Sequence, residues 1–99
     1  MTEETQNLDE HVIYIGDKPF MNYVTGVVMQ FTTQKANDLV IKARGKFISR
    51  AVDIAEVASK RFLTDQIKVN GIKIDSEEFE NKEGKKVRVS TIEITLTRL

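Results

Sequence analysis

The sequence predicts an α+β domain: a two-layer sandwich in the order βαβαββ, with two helices packed on one face of a four-stranded mixed sheet and a projecting β-hairpin arm. Three observations predict it. Two short β-branched runs, 11–15 and 38–43, are each followed by apolar residues at helical spacing. The last third alternates apolar and polar residues through two long runs, 67–79 and 87–96. The chain has 99 residues, enough for one core and no second domain. It divides into a tail over 1–10 and a single domain over 11–99.

The first ten residues carry Glu3, Glu4, Asp9 and Glu10, the composition of an acidic flexible tail. His11-Val12-Ile13-Tyr14-Ile15 reads as a strand stopped by Gly16. Pro19 suits a first helical residue because its ring fixes φ. Phe20, Val24, Val27, Val28 and Phe31 then fall on one helix face. Asp38 to Ala43 is a second strand, broken by Arg44-Gly45-Lys46. A second helix is expected from about Phe47 to Leu63. Ile48, Ala51, Val52, Ala55 and Phe62 line one face, and Ile54 and Val57 widen the apolar surface onto another. So wide a surface predicts contact with a partner as well as with the sheet.

Ile67, Val69, Ile72, Ile74 and Phe79 form one long strand whose phase shifts at Asn70-Gly71, which predicts a bulge. Val87, Val89, Ile92, Ile94 and Leu96 form the return strand. The two patterns agree if Ile72 faces Ile94, Ile74 faces Ile92 and Phe79 faces Val87. That register places Lys82-Glu83-Gly84 in a three-residue turn with a left-handed glycine. The base of the hairpin is expected to pack on the helices. Its outer half is too long and too charged for so small a domain to cover. It should project as an arm carrying Lys82, Lys85, Lys86 and Arg88.

Lys plus Arg and Asp plus Glu both number 15, and a net charge of zero counts against nucleic-acid binding. The distribution counts for it. Lys42, Arg44, Lys46 and Arg50 lie together with no acid among them, and Lys85, Lys86 and Arg88 form a second cluster. There is no cysteine, which excludes a disulfide framework and a thiolate metal site. No apolar run approaches the ~20 residues of a membrane span. The first residues lack the basic start and apolar stretch of a signal peptide, so a cytoplasmic protein is expected. His11 is the only histidine and has no paired carboxylates near it. Gly16-Asp17-Lys18 lies where phosphate-binding turns occur but lacks the further glycines of a nucleotide motif. No enzyme, cofactor or metal is expected.

Five stretches in order resemble the Alba family of archaeal chromatin proteins. They are Gly16-Asp17-Lys18-Pro19-Phe20-Met21-Asn22-Tyr23-Val24, Val40-Ile41-Lys42-Ala43-Arg44-Gly45-Lys46, Ile48-Ser49-Arg50-Ala51-Val52-Asp53, Arg61-Phe62-Leu63 and Val89-Ser90-Thr91-Ile92-Glu93-Ile94. The resemblance runs from residue 11 to residue 98. It implies a homodimeric, chromosome-associated architectural protein that binds double-stranded DNA with little sequence preference, and often RNA. In such dimers the first loop and the loop after the second strand form the body of the binding surface, and the arms reach toward the minor groove.

The residues so implied, with the local charge, are Lys18, Asn22, Tyr23, Lys42, Arg44, Gly45, Lys46, Arg50, Lys82, Lys85, Lys86 and Arg88. Asn81 is a further type suited to the minor groove. Gly45 would allow a phosphate to approach the backbone closely. Contacts within or between dimers are expected at Ile54, Val57, Phe62, Leu63, Phe79, Val87 and Val89. Asp17 departs from the pattern, since the family commonly has a lysine there that is known for regulatory acetylation. An aspartate repels phosphate, so weaker binding is expected, and it is placed to cap the helix end instead. The residues alone leave two other readings open. One is an RNA-binding protein acting in RNA folding, stability or translation. The other is a protein-interaction subunit without nucleic-acid contact, which Asp75, Glu77, Glu78, Glu80 and Glu83 in the arm favour.

Overall fold

The computed structural model describes residues 11–99, so the expected tail over 1–10 lies outside the described residues. Its elements follow the expected order: β1 (Val12–Tyr14), α1 (Phe20–Thr32), β2 (Asp38–Arg44), α2 (Ile48–Val57), β3 (Ile67–Glu80) and β4 (Lys86–Arg98). A 3-10 turn, Gly45–Phe47, leads into α2, and a π turn, Ala58–Phe62, follows it. The sheet order is β1-β2-β4-β3. β1 and β2 are parallel, and β4 is antiparallel to both β2 and β3. β3 therefore runs in the same sense as β1 and β2.

Alternation in the strands sets up one apolar layer. Leu39, Ile41 and Ala43 of β2 and Ile92, Ile94 and Leu96 of β4 are buried against Val24, Val27 and Phe31 of α1 and Ala51, Ile54 and Ala55 of α2. Small residues on the inner stripe of α2 let the helix lie close over β2 and β4. No described helix lies on the opposite face of the sheet. Tyr14 is exposed there, with Lys42 and Glu93 half-buried.

The second helix faces the core differently from the expectation. Its buried stripe is Ala51, Ile54, Ala55 and Ala58, the i, i+3, i+4, i+7 spacing of one helix face. Val52 falls off that stripe and is 40% exposed. In the π turn the amide of Leu63 donates to the carbonyl of Ala58, five residues back, which shifts the phase of the last turn. Leu63 turns inward at 2% exposure and Phe62 outward at 49%. Ile54 and Leu63, expected at a partner contact, are thus enclosed in this chain's own core and closed to any partner.

The hairpin follows its predicted register: Ile72 pairs with Ile94, Ile74 with Ile92 and Phe79 with Val87. The register shifts between Val69 and Gly71, and Gly84 takes φ +80 in the turn. Asn81 accepts hydrogen bonds at Oδ1 from the amides of Glu83 and Lys85, at 2.9 and 3.0 Å. That oxygen therefore organises the turn rather than facing a groove. β2 ends at Arg44 opposite Thr91, so from Ser76 and Ser90 outward the sheet is a two-stranded ribbon. The base of the hairpin differs from the expectation on one side. Ile92 and Ile94 pack under α2, but their partners Ile74 and Ile72 are 75% and 63% exposed. β4 lies between β2 and β3, and α2 does not reach the edge strand.

Candidate nucleic-acid interface

Because β1, β2 and β3 share one direction, the 15–19 loop, the turn at Gly45–Phe47 and the β-hairpin turn all lie at the same end of the sheet. Three segments far apart in sequence are brought to one surface by strand sense alone. Lys18, Asn22, Arg44, Gly45, Lys46, Lys82, Lys85, Lys86 and Arg88 are exposed. Lys42 is half-buried one step below them on β2.

The first loop is held from two helices. The Tyr23 hydroxyl, on the first turn of α1, accepts hydrogen bonds from the amides of Gly16 at 2.9 Å and Lys18 at 3.2 Å. Arg50 of α2 donates to the Gly16 carbonyl and lies over the Tyr23 ring, 5.6 Å from its centroid. Tyr23 is 9% exposed, so its ring is core and its hydroxyl is a loop anchor. Arg50 shares that anchoring role. The expectation that Asp17 caps α1 is corrected. Pro19 occupies the capping position with ψ 139, and no side chain bonds the helix end. Asp17 stands two residues outside, exposed, where it adds a negative charge beside Lys18.

In the second loop the glycine is required by its own backbone and by the packing of the arm. Gly45 has φ +60, and a Cβ there would lie 3.3 Å from a methyl of Val89 on the arm. The close approach is therefore made by the arm, and Val89 packs on the loop. Arg44 Nη1 donates to Glu77 Oε1 at 3.0 Å, and Lys42 Nζ lies 3.8 Å from Glu93. Lys42 also stands 5.8 Å from the Tyr14 ring centroid, and Lys46 stands 5.4 Å from that of Phe47. Tyr14, Lys42, Arg44, Phe47, Glu77 and Glu93 border a shallow groove of about 500 Å³.

On the arm, Arg88 Nη2 donates to Glu78, its directly opposite partner on β3. Among the described residues, Lys18, Lys46, Lys82, Lys85 and Lys86 hold no carboxylate within ion-pair distance. Glu77 and Glu78 thus join the site as residues that the sequence pattern marks only as offsetting charge. The Glu78–Arg88 pairing is contained in the hairpin register. The Glu77–Arg44 pairing needs the β2–β4 register as well, and no local pattern carries it.

The described residues hold no group of three or more His, Cys, Asp or Glu placed to bind a metal ion. What the site presents is ammonium and guanidinium groups at one end of the molecule, with the carboxylates of Glu77 and Glu78 among them. Fold and site together define a small two-layer α+β domain with exposed lysines and arginines gathered at one end. The Alba family model matches residues 11–76. The DNA/RNA-binding protein Alba of Nanoarchaeum equitans is 59% identical over 87 residues, covering 87% of this chain and 96% of that protein. The protein of the same name from Methanocella arvoryzae is 50% identical over 90 residues, covering 91% of this chain and 92% of that one. Among solved structures, Alba from Thermoplasma volcanium superposes with a TM-score of 0.80 at 48% identity, covering 88% of this chain and 99% of that one. The chain belongs to the Alba family. The names of these relatives describe binding and no reaction.

Removing the Tyr23 hydroxyl leaves two loop amides without their acceptor. Tyr23→Phe is expected to lower unfolding free energy by about 0.5–1.5 kcal/mol in urea titrations. Amide exchange at Gly16 and Lys18 should quicken at the same time. An unchanged midpoint with unchanged exchange would remove the anchoring role.

Proposed function

We propose that this protein binds double-stranded DNA with little sequence preference as a homodimer, coating or compacting it through the basic loops and hairpin arms at one end of the sheet. The observation that carries the reading is the convergence of three cationic segments on that end. Sequence-independent binding needs phosphate contacts from an exposed cationic surface, and such contacts dominate affinity. The zero net charge does not oppose this. Four of the 15 acids lie in the first ten residues, which contain no lysine or arginine, so the remainder of the chain carries an excess of cations. That asymmetry weakens the case for a subunit without nucleic-acid contact.

The relatives in Nanoarchaeum equitans and Methanocella arvoryzae are named for DNA and RNA alike. RNA is accordingly the second reading, and competition between duplex DNA and duplex RNA of equal length separates the two. We place the protein on the chromosome in the cytoplasm. No described helix is long and apolar enough to cross a membrane.

The homodimer is supported by apolar surface that the described residues leave bare. Val69, Ile72 and Ile74 of edge strand β3 are 39%, 63% and 75% exposed on the helix side of the sheet. Val52 and Phe62 of the neighbouring helical segment are exposed on that side too, while Phe79, also exposed, lies on the opposite face of the arm. Isolated exposed apolar residues are ordinary, but a run of this length is a contact surface. Val57 and Val87, both half-buried, stay in the proposed contact set, as Ile54 and Leu63 do not.

Arg44→Ala with Lys46→Ala is expected to weaken duplex binding similarly for all sequences. It should flatten the plot of log affinity against log salt by up to about 0.9 for each phosphate that is no longer neutralised. Titrations that match the parent at every salt concentration would remove the loop from the surface. In sedimentation equilibrium the parent should show about twice its chain mass of 11.3 kDa. Ile74→Glu, at a side chain outside the core, should shift that mass to the single chain. A parent already at the single-chain mass would overturn the dimer.

A further inference from the structure

Two arginines of the proposed surface are already held by carboxylates of this chain. Arg44 is bonded to Glu77 and Arg88 to Glu78, both on β3. The lysines of the same surface hold no such partner among the described residues, apart from Lys42 beside Glu93. The planar guanidinium fork matches a carboxylate and a phosphate in the same way. The groups best suited to grip a nucleic-acid backbone are therefore the ones occupied. We propose that Glu77, seconded by Glu78, is a built-in competitor for phosphate. It holds Arg44 against the arm until a phosphate displaces it, and so sets the strength and salt dependence of binding. The inference rests on the nucleic-acid reading above.

The geometry gives the exchange its character. The side chains of Arg44 and Glu77 are 61% and 56% exposed, and those of Arg88 and Glu78 are 68% and 52% exposed. Ion pairs so exposed are weak, so a phosphate can replace the carboxylate without unfolding anything. The replacement is still a swap rather than a pure gain, because each new Arg–phosphate bond costs one existing pair. Glu77 also sits just past the last row where β2 supports the sheet, since Arg44 opposes Thr91 and Thr91 opposes Asp75. The Arg44–Glu77 pair thus ties the root of the arm to the second loop, beside the packing of Val89 on Gly45. Displacing Glu77 unties the arm at the moment the loop engages a phosphate. The released carboxylate then lies near the nucleic-acid backbone and gathers a cation. That uptake offsets the cation released from the phosphate, so the salt dependence is shallower than the number of phosphates engaged implies.

The test compares two substitutions with the same change in charge. Glu77→Gln removes a competitor. Glu80→Gln lies further out on the same strand, at a residue with no cation within ion-pair distance among the described residues. Each is measured against a short mixed-sequence duplex DNA, and against duplex RNA of the same length, across a salt series. Glu77→Gln is expected to bind roughly two- to five-fold tighter at low salt. Its salt slope should steepen by up to about 0.9, and Glu80→Gln should gain less. In an Arg44→Ala background the advantage of Glu77→Gln over Glu80→Gln should vanish. Equal gains for the two variants, or a Glu77→Gln advantage that survives without Arg44, would overturn the competitor and leave the nucleic-acid reading intact. A parent chain that binds neither duplex at low salt would overturn both.

Discussion

Two crossover helices force β1, β2 and β3 to run in one sense, and the position of everything functional depends on that constraint. A strand followed by a helix and a returning strand comes back parallel, with the helix on one face. Here the second crossover skips a place in the sheet, and β4 fills the gap antiparallel. One end of the sheet therefore collects the loop after β1, the turn after β2 and the hairpin between β3 and β4. Among the described residues nothing covers the other face or the far edge. The cationic end and the bare apolar edge are both consequences of the same strand order.

The site combines a fixed part with an adaptable part. Tyr23 and Arg50 bond the backbone of the first loop from two different helices, so that loop is set before any ligand arrives. Gly45 lets the second loop press against Val89, which fixes where the arm leaves the body. Arg44 and Arg88, by contrast, are held by exposed ion pairs that exchange readily. The acids of the arm have two effects that work in opposite directions. They keep a long two-stranded ribbon from pairing edge to edge with another, and they oppose the approach of phosphate.

Much of the fold is legible in the chain because it depends on short-range patterns. The hairpin register, the bulge at Asn70-Gly71 and the left-handed Gly84 follow from a period of two and a mismatch in phase. The orientation of α2 is not legible in the same way. A π turn inserts a phase shift that no helical pattern announces, and it exchanges the roles of Phe62 and Leu63. Ile72 and Ile74 look like core residues in sequence. They stay exposed because strand order, which is not local, puts β3 beyond the reach of α2. The same holds for the site. Local charge marks Arg44, Lys46 and the arm lysines, while Tyr23 and Glu77 acquire their roles from contacts across the fold.

The central claim is that one end of the sheet is the nucleic-acid surface, and amide chemical shifts under titration with a short DNA duplex at low salt test it most directly. The shifts should move together at 16–18, 44–46 and 81–88. The opposite end, around 33–37 and 64–67, should stay in place. Changes concentrated at that opposite end, or confined to the bare stripe of Ile72 and Ile74, would contradict the account.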